Sequence, residues 1–208
     1  MALKQKDTTI KIIFDFTLTL IGTICISPLL AYIAYRIKKE DGEEAIYCQH
    51  RLGIGGKLFN CYKFRSMCLE ADKVLEKYLS ENEEAKKEYE IYKKLKNDPR
   101  ITPIGIKLRQ SSLDELPQIF NVLKGDMSLV GPRPYLPNEL EEMGENSELI
   151  LSVKPGITGY WQVHGRSNCT FEERILLDTW YVKNRSLKMD LILLWKTIGV
   201  VLSKKGAY

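Results

Sequence analysis

The sequence predicts an α/β mixed, predominantly helical chain with one small β-hairpin and a membrane-embedded N-terminal helix. Three observations predict it. Residues 16–35 form an uncharged, mostly apolar run of 20 residues. Two strand-like segments flank the glycine-rich turn Gly53-Ile54-Gly55-Gly56. Much of the remainder carries apolar residues at helical spacing. The 208 residues, 44% hydrophobic, suit one globular domain plus a short membrane element, divided as residues 1–39 and 40–208.

The N-terminal run is long enough to cross a bilayer as a straight helix of ~1.5 Å per residue. Pro28 argues against a plain span. It lacks an N–H and clashes one turn back, and Ser27 can satisfy a carbonyl it frees. Both flanks are basic, with Lys4, Lys6 and Lys11 before the run and Arg36, Lys38 and Lys39 after it. Such symmetry sets no orientation by the positive-inside rule, and follows if both ends stay on the cytoplasmic face. The residues alone leave two forms open: a kinked span, and a re-entrant helix broken at Ser27-Pro28.

Residues 45–67 read as the hairpin. Its Gly cluster lacks the spacing of a phosphate-binding P-loop, so it reads as a turn. Residues 69–97 alternate acids and bases and read as one or two solvated helices. Pro103 can open a short helix carrying Lys107 and Arg109. Leu116, Ile119, Phe120 and Leu123 mark the core face of the next helix, which Gly125 stops. Residues 137–151 and 171–184 read as further helices. Residues 191–203 read as a last helix whose wide apolar surface suits either a core or a membrane interface.

Composition excludes several classes. Thirty-one basic and 27 acidic residues give a net charge of only +4, which demands no nucleic acid and is at home on an anionic membrane. The five cysteines are odd in number and show no C-x-x-C spacing, so reduced cytosolic thiols fit better than disulfides. Two histidines make a zinc site improbable.

Residues 111–134 carry the chemistry. Two adjacent carboxylates, Asp114 and Glu115, stand at the start of a helix, with Arg109 before them and the rigid Pro132-Arg133-Pro134 after. A helix N-terminus attracts phosphate. A diphosphate there would repel the acids unless a hard cation intervened, and Mg²⁺ is commonly held by one or two carboxylates plus phosphate oxygens and water. Neighbouring helical residues point ~100° apart, so the two acids need different tasks: one attacks phosphorus, the other holds metal. The competing reading is a capping box, Ser112-x-x-Glu115, with no chemistry at all.

This stretch closely resembles the signature of the bacterial sugar transferases, the small monotopic phosphoglycosyl transferases. The resemblance runs from about residue 10 to the C-terminus. It implies transfer of a sugar-1-phosphate from a UDP-sugar to undecaprenyl phosphate, with UMP released, as the priming step of polysaccharide or glycoconjugate assembly. It implies that Asp114 is the nucleophile, forming an aspartyl-phosphosugar, and that Glu115 ligates Mg²⁺. It places Lys63 and Arg65, in Lys-Phe-Arg-Ser-Met, near the active site, and Pro132, Arg133 and Pro134 along the nucleotide pocket. Arg109, Arg166 and Asp178 match further active-site positions, and Gln162 and Trp161 fit less firmly. The family's re-entrant helix is broken at a Ser-Pro pair that Ser27-Pro28 matches. That implies a monotopic protein on the inner face of a bacterial cytoplasmic membrane, in contact with lipids and with downstream glycosyltransferases. Larger members carry an extra multi-helix membrane region for which this chain has no room. The segment Tyr-Trp-Gln-Val-His-Gly-Arg-Ser at 160–167 is nearer the members that transfer a hexose phosphate. Two rivals are a membrane-bound nucleotide-sugar phosphohydrolase and a non-catalytic membrane scaffold of a glycosyltransferase assembly.

Overall fold

The computed structural model describes residues 2–92, 95–165 and 169–203. It is mostly helical, with two small two-stranded sheets. The first element, α1 (Ala2–Asp41), is one helix of 40 residues with Pro28 inside it. The Pro28 ring removes the amide that would bond the carbonyl of Ile24. Ser27 Oγ donates to that same carbonyl at 2.9 Å. The interruption is thus confined to one backbone hydrogen bond, and the helix continues through it. Gly42, at φ +83°, ends α1 by donating its amide to the Lys38 carbonyl.

One stripe of α1 is buried along most of its length: Asp15, Thr19, Leu30, Ile33 and Ile37. That stripe covers about 33 Å at helical rise. Leu30, Ile33 and Ile37 share a core with Phe64, Leu108 and Ile119. Toward the other end, Lys11 Nζ lies 2.6 Å from Asp190 and 3.4 Å from Asp15. Ser128 donates to Asp15 at 2.6 Å, and the Tyr181 hydroxyl donates to Asp190 at 2.7 Å. The opposite face, including Ile13, Phe16, Ile21 and Ile24, is apolar and exposed. Lys11→Met would leave Asp15 and Asp190 facing each other without a cation. The expected cost is roughly 3 kcal/mol, read as a lowered midpoint of thermal unfolding in detergent.

The hairpin pairs β1 (Ile46–Leu52) with β2 (Leu58–Phe64) in the register Ile46↔Phe64 to Leu52↔Leu58. Its turn holds Gly55 and Gly56 at φ +65° and +75°, a conformation that glycine adopts without strain. The charged segment forms α2 (Ala71–Glu81) and α3 (Glu83–Tyr92). Next comes α4 (Pro103–Ser111), with Thr102 capping the Gly105 amide and Pro103 in its first turn. A Cβ on Gly105 would lie 2.0 Å from the Ser66 carbonyl oxygen, so glycine permits α4 to cross the end of β2 at backbone contact.

A single 3-10 turn, Leu113–Glu115, links α4 to α5 (Gln118–Lys124). Ile119 and Val122 are buried, while Phe120, expected on the core face, is exposed. Gly125 ends α5 at φ +86°. Then β3 (Ser128–Val130) leads to Pro132-Arg133-Pro134. After the short α6 (Ser147–Ile150), β4 (Gly156–Thr158) pairs with β3 in parallel. A Cβ on Gly156 would sit 2.1 Å from the Gly131 amide nitrogen, so the two chains touch where the Pro-Arg-Pro loop emerges. The chain closes with α7 (Tyr160–His164), α8 (Phe171–Asn184) and α9 (Leu187–Ser203). Leu193 of α9 is buried, while Leu191, Ile192, Trp195 and Ile198 are exposed, so this helix is apolar on two faces.

Candidate active site

Four elements meet at the acid pair. The 3-10 turn presents Asp114 and Glu115, β2 presents Lys63, and α4 presents Arg109. The loop after β3 presents Arg133. The capping box is not formed. Ser112 is the left-handed end of α4, at φ +55°, and its side chain caps no amide. The helix expected to begin at the acids begins at Gln118 instead, because Pro117 has no amide to donate and suits a helix entry. Asp114 and Glu115 are thereby spared from helix capping.

Lys63 Nζ lies 2.8 Å from Glu115 Oε1. Burial alone would raise the Glu115 pKa, but the Lys63 ammonium, with Arg133 and Arg51 behind it, holds it below the usual glutamate range. Asp114 goes the other way. Burial, then repulsion from Glu115, pushes its carboxyl up to about 6, against the pull of Lys63 and Arg109. A carboxyl with a pKa of about 6 is still mostly ionised at neutral pH. Two adjacent acids of unlike pKa have separable roles.

The Ser66 hydroxyl accepts from Arg109 Nε at 2.9 Å, which ties Arg109 to the Lys-Phe-Arg-Ser segment, and Arg109 feels the charge of Asp114. Arg65 does not join them. Its guanidinium pairs with Asp41 at the end of α1, and its Nε donates to the Glu44 carbonyl. Because β2 stops at Phe64, strand alternation no longer holds Arg65 on the Lys63 side. In the structure Arg65 instead forms a clasp between α1 and the hairpin.

A narrow cleft opens beside Glu115, lined by Arg51, Lys63, Gln118, Arg133, Pro134, Ile157 and Gln162. Gln162 Nε2 donates to the Ile157 carbonyl, and its Oε1 is buried without a partner. Pro132 and Pro134 hold the loop at both ends. The Pro132 carbonyl accepts from the Gly156 amide, and the Pro134 carbonyl accepts from Arg51 Nη1 at 3.0 Å. Asp178 lies beneath this loop, fully buried. Its Oδ2 accepts from the Arg133 amide at 3.1 Å and from the Tyr135 hydroxyl at 2.9 Å. Burial pushes its pKa up to about 7. Asp178 therefore shapes the Pro-Arg-Pro loop from behind. Arg166 lies outside the described residues.

Arg51 and Gln118 went unremarked in the sequence. The burial of Arg51 goes with a contact to Pro134 that no local pattern announces. Asp178 had a readable signal, since Ile175, Asp178, Thr179 and Val182 form one buried helical stripe.

A divalent cation fits the acid pair. Among the described residues no group of three or more His, Cys, Asp or Glu gathers, so a closed protein cage is lacking. Mg²⁺ needs only one or two carboxylates when phosphate oxygens and water complete its shell. The raised Asp114 pKa also registers the charge crowding that a cation would relieve. Glu115, with Asp114 beside it, is the available ligand.

The family profile described as bacterial sugar transferase matches residues 6–204. A sugar transferase of Haemophilus influenzae is 49% identical over 205 residues, which are 99% of this chain and 43% of that protein. The undecaprenyl-phosphate galactose phosphotransferase of Salmonella typhimurium is 48% identical over 205 residues, again 99% of this chain and 43% of the relative. The exopolysaccharide production protein ExoY of Rhizobium meliloti is 41% identical over 195 residues, 94% of this chain and 86% of ExoY. The chain thus spans less than half the length of the first two relatives and most of the third.

Proposed function

The chain belongs to the bacterial sugar transferase family, and from that premise we propose that it transfers a sugar-1-phosphate from a UDP-sugar to undecaprenyl phosphate. The observation that carries this reading is the cleft where Glu115 is held by Lys63 and faced by Arg133, with Asp114 alongside.

In the first displacement a carboxylate oxygen of Asp114 attacks the phosphorus that bears the sugar. The bond from that phosphorus to the UMP oxygen breaks, and UMP leaves with the electron pair. In the second, an oxygen of the lipid phosphate attacks the same phosphorus and the Asp114 carboxylate departs, leaving a lipid diphosphosugar. Arg109 and Lys63 balance charge around the acids, and the loop held by Asp178 and Arg51 presents Arg133 to phosphate oxygens. A Mg²⁺ held at Glu115 would neutralise charge on the donor's diphosphate. A hexose donor is favoured by the galactose named for the Salmonella relative. The product primes polysaccharide or glycoconjugate assembly, where downstream glycosyltransferases extend it.

The same reading puts the protein on the inner face of the cytoplasmic membrane with α1 entering one leaflet only. Two observations support it. Lys11 and Asp15 dock one end of α1, and Ile33 and Ile37 dock the other, on one folded body. Ser27 meets the carbonyl left open by Pro28, so the proline is tolerable in lipid. Cysteines introduced at the exposed residues 12 and 39 are expected to react only from the cytoplasmic side. Periplasmic labelling at residue 12 would refute the topology.

The activity itself is tested by UMP release from a panel of UDP-sugars, with and without polyprenyl phosphate. Transfer predicts lipid-dependent turnover and a lipid diphosphosugar product. Steady release of free sugar phosphate without lipid would mark a phosphohydrolase, and no release from any donor would leave only the scaffold.

A further inference from the structure

Arg174, on α8, has no part in the chemistry described above. Its guanidinium lies 5.1 Å from the ring centre of Trp161, and that of Arg133 lies 5.6 Å from the same ring. Trp161 is buried, and its Nε1–H meets no partner. The buried Nε atoms of Arg174 and Arg51 are likewise unpartnered. Arg133 also borders the reaction cleft with Arg51. Three guanidinium groups therefore form a row with Arg133 at its middle. Burial first, and then the charge of Arg133, holds the pKa of both outer members below the usual arginine value.

Each acid near this row has a nearer partner than the row's guanidinium groups. Glu115 pairs with Lys63. Asp178 accepts the Arg133 amide and the Tyr135 hydroxyl through Oδ2, while its Oδ1 is buried without a partner. Glu139 accepts the Leu136 amide at 2.6 Å. Among the described residues, Arg51, Arg133 and Arg174 enter no salt bridge. Arg51 donates to the Pro134 carbonyl and the Gln49 side chain, and Arg174 to the Cys169 carbonyl at 3.3 Å. All these acceptors are neutral. Glu115, Glu139 and Asp178 act on these guanidinium groups without a direct ion pair, and partly buried like charges so placed are costly. The planar forks of arginine match phosphate oxygens, and an aromatic face can hold such a fork in place before a ligand arrives.

We propose that Arg51, Arg133 and Arg174 form a phosphate-binding row against Trp161, extending the reaction cleft toward α8, with Arg174 as its outer member. The ligand is a phosphate group of a substrate, either of the nucleotide-sugar or of the lipid phosphate. The choice between these rests on the transferase reading, whereas the row itself does not.

The test uses the full chain in detergent or nanodiscs, with UMP, pyrophosphate and a short polyprenyl phosphate as separate probes. Binding is followed by calorimetry and by Trp161 fluorescence, with Trp161→Phe as the spectral control. Arg174→Gln is expected to weaken at least one probe roughly 10- to 100-fold, the worth of one or two charge-assisted hydrogen bonds, while circular dichroism and melting stay as in wild type. Weakened UMP binding with a diminished UMP burst assigns the row to the donor. Weakened polyprenyl phosphate binding with an intact burst assigns it to the lipid phosphate. Unchanged affinity for all three probes overturns the proposal. Arg174→Lys guards against a folding defect in the glutamine variant. It keeps the charge but not the fork, and is expected to fall between the two; wild-type affinity in a folded lysine variant also overturns the proposal. Arg174-dependent phosphate binding in a wild-type chain that releases no UMP would sink the transferase reading and leave the row standing.

Discussion

Asp114→Asn is expected to abolish UMP release while leaving donor binding intact. The substitution keeps shape and removes the charge that attacks phosphorus. Removing a nucleophile through which both displacements pass costs on the order of 10⁴-fold or more in turnover. A structural role would cost far less, about 0.5–2 kcal/mol for a lost helix cap. The structure lowers even that expectation, because the 3-10 turn holding Asp114 caps no helix through Ser112.

Stability should move the opposite way. A carboxyl whose pKa rises from 3.8 to about 6 on folding binds more protons folded than unfolded in that interval. It therefore withdraws stability as pH rises from about 4 to about 6. At neutral pH the neutral amide escapes that burden, so Asp114→Asn is expected to melt higher than wild type, by up to about 3 kcal/mol. Activity has the reverse slope. The ionised nucleophile is lost below about pH 6, a limit that a bound cation would shift downward, and the donor half-reaction falls as the carboxylate protonates. Incubation with UDP-sugar alone should add one phosphosugar to wild type, and peptide mapping should place it on Asp114. Substantial turnover by the Asn variant, or kinetics requiring lipid before any UMP appears, would favour direct attack by the lipid phosphate.

Local pattern made the hairpin, the charged helices and the acid pair readable. Glycine at 53, 55 and 56 fixes the hairpin turn within a dozen residues of both strands, so the pairing needs no distant information. The parallel pair β3–β4 could not be read that way. Each strand is three residues long, and their union depends on backbone contact between Gly131 and Gly156. Lys63 and Arg65 show how a shared segment can divide. Both are basic and two apart, yet one meets Glu115 and the other Asp41 because the strand ends between them. The role of Asp178 was obscured for a related reason. Its identity pointed to chemistry, while its place on the buried stripe of α8 pointed to the loop above it. The row of arginines was invisible, since Arg51, Arg133 and Arg174 come from three distant segments and only the fold assembles them.

The second large effect concerns the metal. Chelation by EDTA is expected to stop the donor half-reaction, and Mg²⁺ to restore it. Glu115 is the residue through which that dependence should run, and the argument is one of charge. In the structure Glu115 is neutralised by Lys63 at 2.8 Å, while Asp114 keeps a raised pKa partly because Glu115 is ionised beside it. A donor diphosphate would add negative charge to a site already holding two carboxylates. Lys63 alone cannot offset it, whereas a divalent cation held at Glu115 would. Glu115→Gln removes the ligand charge and should weaken Mn²⁺ binding, followed by paramagnetic resonance, together with turnover, roughly 100-fold or more by analogy with a lost electrostatic catalytic contact. The same variant should lower the pKa of Asp114, since the neighbouring repulsion is gone, and carbon-13 titration of the aspartate carboxyls would detect that shift. The two readouts separate the roles: a lowered Asp114 pKa with unaltered metal binding and full turnover would leave Glu115 as a neighbour of the nucleophile and remove it from the metal site.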